Sequence, residues 1–78
     1  MRTMVEHIGM KRLCEELRKI RLSRNLTQAK LAEMIGMQQA HVSMIERGLR
    51  APTLDTLMLL CVALNAELQI VARKRNEK

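Results

Sequence analysis

Two short amphipathic segments lie on either side of Gly36, and they limit what this chain can fold into more than any other feature. Residues 28–35 place apolar side chains at helical spacing, and residues 39–45 do the same after the glycine. Each segment spans only about two turns, so neither is stable as an isolated helix in water. Glycine adopts a positive φ at little cost, which permits a tight turn here. We therefore predict two short helices packed against each other across this turn.

A longer apolar stripe precedes this pair of helices. From Met10 onward, apolar residues repeat at the spacing of a helix that packs on one face, and Asn25 suits the left-handed conformation that ends a helix. Thr27 is then predicted to cap the second helix, and Gln38 to cap the third. Residues 1–9 show no strong period, so we predict that they form a flexible N-terminal arm.

The C-terminal part of the chain changes its period. Thr53 is predicted to cap a fourth helix, which is apolar over most of its surface. In residues 65–73 apolar and polar residues alternate, as in a strand. An unpaired strand edge pairs readily with another chain, so we predict a dimerisation strand that pairs across a two-fold axis of a homodimer, with a frayed helical tail as the alternative. Residues 74–78 form a basic tail. The apolar side chains predicted to line the paired strand are Leu68, Ile70 and Ala72.

Charge and composition narrow the possible partners. The 78 residues carry a net charge of +6 and no aromatic residue. Residues 11–24 hold six Lys or Arg against two Glu, a net charge of +4, which suits a polyanion such as nucleic acid, although a solvated surface has the same composition. Proteins that read single strands usually stack bases on aromatic side chains. Duplex DNA is therefore the better candidate among the polyanions.

Residues that carry chemistry are scarce. Cys14 and Cys61 form no CxxC pair, and the only histidines are His7 and His41, so we predict no metal site and no cofactor. The chain has no catalytic Ser-His-acid set, phosphate-binding glycine loop or carboxylate cluster, so we predict no catalytic residue and no enzymatic activity. No apolar run approaches the ~18 residues of a membrane span, and the N-terminus lacks the apolar part of a secretory signal. We expect a cytoplasmic, nucleoid-associated protein that does not bind membranes.

The two short helices carry fitting residues at each position that a helix-turn-helix requires. The first helix needs inward apolar residues and one small residue where the second helix crosses it. The turn needs a glycine and an apolar residue at the corner, and the second helix needs two inward apolar residues. The residues at these positions are Leu31, Ala32, Ile35, Gly36, Met37, Val42 and Ile45.

The stretch TQAKLAEMIGMQQAHVSMIERG resembles the helix-turn-helix of the Cro and cI repressor superfamily, also called the XRE family. The resemblance covers about residues 10–64, and its most telling parts are TQAKLAEMIG, IERG and the later PTLDTL. It implies a mainly α, lambda-repressor-like domain of four to five helices that binds specific sequences of duplex DNA. It also implies that Arg21 pairs with Glu46 and so ties the first helix to the third; a phosphate contact or a free surface charge is the alternative for Arg21.

The predicted C-terminal strand makes the chain most similar to the HipB antitoxins, whose dimers form a two-stranded β element. This likeness implies a repressor that regulates its own operon and binds a HipA-type kinase toxin. The chain lacks the extra C-terminal tail of some HipB proteins, which bears on toxin binding more than on DNA binding. The alternative is a stand-alone phage-type or restriction-modification controller without a toxin partner.

The resemblance also assigns base-reading roles on a palindromic DNA site. In this class the N-terminus of the recognition helix points into the major groove. Gln39 is therefore expected to bond adenine, and Ala40 to contact a thymine methyl group. Ser43 and Met44 lie one turn further on and are expected to face the same groove.

Five other residues are expected to contact the DNA backbone. Gln28 and Gln38 lie at helix N-termini, where backbone amides and the side chain together hold a phosphate. Lys30, Arg47 and Arg50 are candidates for phosphate contacts, and each is equally well explained as an ordinary surface charge.

Overall fold

The structure is a computed structural model that describes the backbone of residues 4–69 and the side chains of residues 9–69. This part of the chain forms four α-helices and contains no strand. The predicted mainly α fold is confirmed. The helices are α1 (Met4–Ser23), α2 (Gln28–Ile35), α3 (Gln39–Glu46) and α4 (Leu54–Ala63).

All four helices share one apolar core. α2 packs against both α3 and α4, and α1 packs against α3. Burying a Leu or Ile side chain contributes about 1.5–3 kcal/mol, and this burial holds α2 and α3 in place although each has only eight residues. The buried core residues are Leu17, Leu31, Ala32, Val42, Ile45, Leu57, Leu60 and Leu64.

Each helix ends at a residue with positive φ, which turns the chain sharply. In every case the amide that follows this residue bonds a carbonyl of the preceding helical turn, at N–O distances between 2.8 and 3.2 Å, as in a Schellman motif. The sequence pattern indicated the ends at Asn25 and Gly36. The four residues are Asn25 (57°), Gly36 (71°), Gly48 (75°) and Asn65 (52°).

The N-termini of the helices differ in how they are capped. Thr27 Oγ1 accepts from the Lys30 amide at 3.0 Å, and Thr53 Oγ1 accepts from the Thr56 amide at 3.2 Å, so both predicted threonine caps are present. Gln38 precedes α3 in extended backbone, but its side chain makes no capping hydrogen bond. The start of α3 therefore has no side-chain cap from its own N-cap residue.

The predicted boundary of the first helix is wrong. α1 begins at Met4 rather than Met10, so residues 4–9 are helical and do not belong to a flexible arm. A glycine inside a helix costs about 1 kcal/mol relative to alanine, which does not stop extension from an existing helix because nucleation has already occurred. Residues 1–3 lie outside the described residues.

The predicted dimerisation strand is only partly covered by the structure. Residues 66–69 have no regular secondary structure in this single chain, and Ile70 and Ala72 lie outside the described residues, as does the basic tail. A strand that pairs only with a second copy has no partner in one chain, so the strand stays a prediction.

The turn at Gly36 yields a test with an internal control. Gly36 has a φ of 71°, so Gly36→Ala is expected to lower the free energy of unfolding by about 1–2 kcal/mol, because a Cβ is strained in this conformation even though no atom lies within 4 Å of it. Gly9 lies inside α1 with equally open space, and Gly9→Ala is expected to raise the same free energy by about 0.5–1 kcal/mol. Urea unfolding measures both; a shift of the same sign in both variants would contradict this account.

Candidate nucleic-acid interface

α3 presents one buried side and one solvent-facing side. Successive residues of a helix lie about 100° apart, which places Val42, Ile45 and Glu46 together on the buried side. Ala40 and Met44 are exposed on the opposite side, and Ser43 is half-buried at its edge. Gln39 is exposed in the first turn of the helix, although its direction about the helix axis is close to that of Glu46. We call these four residues the α3 outward face: Gln39, Ala40, Ser43 and Met44.

The α3 outward face adjoins the start of the helix. Gln38 is exposed, and because its side chain makes no cap, the first amides of α3 are not satisfied in the way that those of α2 and α4 are. These amides and the helix dipole give the N-terminus a partial positive charge. The arrangement is suited to an acceptor from outside the helix, such as a phosphate oxygen or a base edge.

A buried ion pair fixes the other end of α3. Arg21 Nε donates to Glu46 Oε2 at 2.7 Å, and Arg21 Nη2 donates to Glu46 Oε1 at 3.0 Å. Arg21 Nη1 also donates to the Leu26 carbonyl at 2.7 Å. Both charged residues are only 7% exposed, so Arg21 is neither a free surface charge nor a phosphate contact, and the predicted pair is present.

The pair is directional because a guanidinium and a carboxylate meet in two parallel hydrogen bonds. Arg21 lies in the last turn of α1 and Glu46 is the last residue of α3. Their contact therefore sets both the position and the rotation of α3 relative to α1. Rotation matters here, because it decides which side chains form the α3 outward face.

Gln28 completes this buried network. Its Nε2 donates to Glu46 Oε1 at 3.0 Å, so the first residue of α2 is tied to the last residue of α3. The sequence pattern indicated a DNA-backbone role for Gln28 and gave no sign of this contact, because the two residues are 18 positions apart. Every buried side-chain nitrogen and oxygen among the described residues has a hydrogen-bond partner.

The basic residues fall into two groups. Arg24 is exposed but donates to the carbonyls of Leu64 and Asn65, so Arg21 and Arg24 both bind acceptors of this chain. Lys30 is exposed and lies 3.7 Å from the Glu33 carboxylate. Arg47 and Arg50 are exposed and so are accessible to a polyanion. The other basic residues between positions 9 and 69 are also exposed: Lys11, Arg12, Arg18 and Lys19.

Two other kinds of site are absent from the part of the chain that the structure describes. No cluster of His, Cys, Asp and Glu there is arranged to hold a metal ion. None of the four described helices combines the length and apolarity needed to cross a membrane.

Comparison with known proteins places this geometry in a family. The family model described as Helix-turn-helix (HTH_3) matches residues 17–71, which is more than half of the chain. The crystal structure of the restriction-modification controller protein C.AhdI from Aeromonas hydrophila is similar, with a TM-score of 0.74 and 30% sequence identity. That match covers 78% of this chain and 88% of the controller.

Two curated relatives match in sequence. Control protein C.SmaI from Serratia marcescens is 42% identical over 53 residues, which are 68% of this chain and 63% of that protein. The uncharacterized HTH-type transcriptional regulator y4dL from Sinorhizobium fredii (strain NBRC 101917 / NGR234) is 32% identical over 62 residues, 80% of this chain and 32% of that regulator. The chain thus spans less than two thirds of either curated relative.

Substitution of either member of the buried pair is expected to cause a large loss of stability, and the two losses are expected not to add. Arg21→Ala and Glu46→Ala are each expected to lower the free energy of unfolding by about 3–5 kcal/mol, because each leaves a buried charge without its partner. The double variant is expected to lose less than the sum of the single losses, which a double-mutant cycle in urea measures.

The matched control for this cycle is the exposed pair of Lys30 and Glu33, 3.7 Å apart. Lys30→Ala is expected to change the free energy of unfolding by less than about 1 kcal/mol, as for most exposed ion pairs. Strictly additive losses for Arg21→Ala and Glu46→Ala would contradict a directional pair.

Proposed function

The chain belongs to the helix-turn-helix family of DNA-binding transcriptional regulators, which are not enzymes, and on that premise we propose that it is a homodimeric controller of transcription that reads a palindromic duplex. The observation that carries this proposal is the α3 outward face, which is exposed and held in orientation by the Arg21–Glu46 pair. The family membership agrees with the prediction that the chain has no enzymatic activity.

We propose that the N-terminus of α3 enters the major groove and contacts the bases there. Gln39 offers an amide that bonds adenine through two atoms at once, and the Ala40 methyl group suits a thymine methyl group. Ser43 and Met44 extend the contact by one turn. The uncapped amides that follow Gln38 supply donors to an adjacent phosphate.

Phosphate contacts are proposed for exposed cations near the ends of α2 and α3. Lys30 lies in the first turn of α2, and Arg47 and Arg50 follow α3 directly. For Gln28 the proposal shifts to its backbone amide at the start of α2, because the side-chain nitrogen is bound to Glu46. Contacts of this kind set the register of the protein on the duplex without reading sequence.

A homodimer is supported by the apolar surface of α4. Leu54, Met58 and Val62 follow one another at i, i+4 spacing and are 68%, 54% and 78% exposed. A monomer leaves this strip in water, whereas a two-fold axis covers it on both copies at once. The strip lies on the helix that leads directly into the predicted dimerisation strand, where Leu68 is 45% exposed. Two recognition helices related by such an axis read half-sites about 34 Å or a multiple apart.

The controller class is favoured over the HipB-like antitoxin that the C-terminal pattern predicted. Two of the relatives are controllers by name, and one of them shares the fold over 78% of this chain. None of the relatives reported above is named as an antitoxin, so a HipA-like kinase partner lacks support from them. Affinity purification with the product of the neighbouring gene separates the two: a controller binds DNA with no stable protein partner, and a stoichiometric kinase complex would contradict the proposal.

Gln39 supplies the test of sequence reading. Gln39→Ala is expected to weaken binding to the operator by about 1–3 kcal/mol and to relax specificity at one base pair. Gln38→Ala is the control, since loss of a backbone contact weakens all sequences alike. Fluorescence anisotropy with the operator, its single-base variants and a scrambled duplex measures both. Equal binding of wild type to operator and scrambled duplex would contradict the proposal, and an unchanged base preference in Gln39→Ala would remove Gln39 from the reading face.

The exposed strip on α4 supplies the test of the dimer. Met58→Glu is expected to shift the protein from dimer to monomer in sedimentation experiments, because it places a charge in an apolar interface. The fold is expected to survive, since Met58 is 54% exposed in the single chain. Met34→Glu is the matched control, as Met34 is 48% exposed on α2 and does not belong to this strip. A dimer that persists in Met58→Glu would refute this interface.

A further inference from the structure

Arg24 joins two helix ends that are far apart in the sequence. Its Nε donates to the Leu64 carbonyl at 2.9 Å, and its Nη2 donates to the Asn65 carbonyl at 3.2 Å. Arg24 directly follows α1, whereas Leu64 and Asn65 directly follow α4. The guanidinium therefore holds the point at which the chain leaves the folded core.

The two carbonyls are available because of how α4 ends. Asn65 N donates to Val62 O at 3.1 Å and Ala66 N donates to Cys61 O at 2.8 Å, so the Schellman motif uses carbonyls of the last helical turn. The carbonyls of Leu64 and Asn65 come after those and point beyond the helix. A planar guanidinium reaches two neighbouring acceptors at once, which the single ammonium of lysine does less well.

The contact governs the direction of the C-terminal segment. Asn65 has a φ of 52°, which reverses the chain, and its carbonyl is one of the two that Arg24 holds. Leu64 is only 1% exposed, so this clamp is anchored in the core. Ala66 still packs against the core, and the exposed residues 67–69 follow from a point that both the helix cap and Arg24 define.

We propose that Arg24 is a positioning residue that sets the distance and orientation between the two recognition helices, and so determines which half-site spacing the protein accepts. The inference rests on the proposed homodimer, in which residues 65–73 and α4 join the two copies. If the C-terminal segment leaves each domain at a fixed angle, the dimer accepts one half-site spacing. Each recognition helix must then meet a major groove at the correct position along the duplex. If this segment is not held at a fixed angle, the two domains rotate relative to each other, and the dimer binds several half-site spacings with nearly equal affinity.

The competing role for Arg24 is a phosphate contact, since it belongs to the basic block of residues 11–24. A phosphate contact strengthens binding to all sequences and spacings alike and contributes about one unit to the salt slope. A positioning residue changes the dependence on spacing and leaves the salt slope and the affinity for a single half-site as they were. These two readouts separate the roles.

The experiment uses Arg24→Lys and Arg24→Ala in the full chain. The probes are duplexes that carry two inverted copies of the half-site selected by wild type, with the spacer changed by single base pairs. Both variants are expected to lose about tenfold in affinity at the preferred spacing, from the loss of two charge-assisted hydrogen bonds, while other spacings change little. Arg18→Ala is the matched control, because Arg18 is an exposed arginine of the same basic block and lies on α1.

The possible outcomes are distinct. A flattened spacing profile in both Arg24 variants, with wild-type circular dichroism and an unchanged profile for Arg18→Ala, supports the proposal. A wild-type profile in Arg24→Lys, or a uniform loss with a reduced salt slope in Arg24→Ala, overturns it and leaves the dimer intact. If wild type itself has no spacing preference and sediments as a monomer, the dimer is overturned, and the role of Arg24 with it.

Discussion

The buried ion pair between Arg21 and Glu46 is the interaction on which the rest of the structure depends. α3 has only eight residues, so its position depends on its contacts with the rest of the protein. Apolar burial holds it against the core, and two parallel hydrogen bonds at 2.7 and 3.0 Å fix its direction. We infer that the pair is present for orientation more than for stability, because replacing a buried pair by apolar residues is often neutral for stability.

The orientation of α3 matters because a helix reads DNA only when it is rigid and presents the right side chains to the bases. The α3 outward face is exposed in the free chain while its opposite side is buried, so little ordering is needed when a duplex is bound. In the proposed complex, the uncapped start of the helix adds donors at the point where the groove is entered. In the proposed homodimer, a second copy joined through the apolar strip of α4 doubles the contact with a palindrome and makes the spacing of the two copies part of the recognition.

Much of this fold follows from local chemistry, and the failures have physical causes. The bounds of α2 were predictable because Thr27 caps one end and Gly36 takes a positive φ at the other. The start of α1 was missed because one glycine weakens a helix without ending it. The contacts of Gln28 with Glu46 and of Arg24 with Leu64 join residues 18 and 40 positions apart, and such contacts leave no periodic signal. Within the candidate site, the four residues of the α3 outward face followed from the resemblance to the Cro and cI repressors. The C-terminal pattern favoured an antitoxin over the controllers that the relatives support.

The central claim is that the α3 outward face enters the major groove of the duplex, while the start of α2 and the cations after α3 contact its phosphates. Amide NMR spectra of the protein titrated with its operator test this most directly. We expect the largest shift changes at residues 38–44 and at the start of α2, with the exposed strip of Leu54, Met58 and Val62 unchanged. Largest changes among the exposed cations of α1, with α3 unaffected, would contradict it.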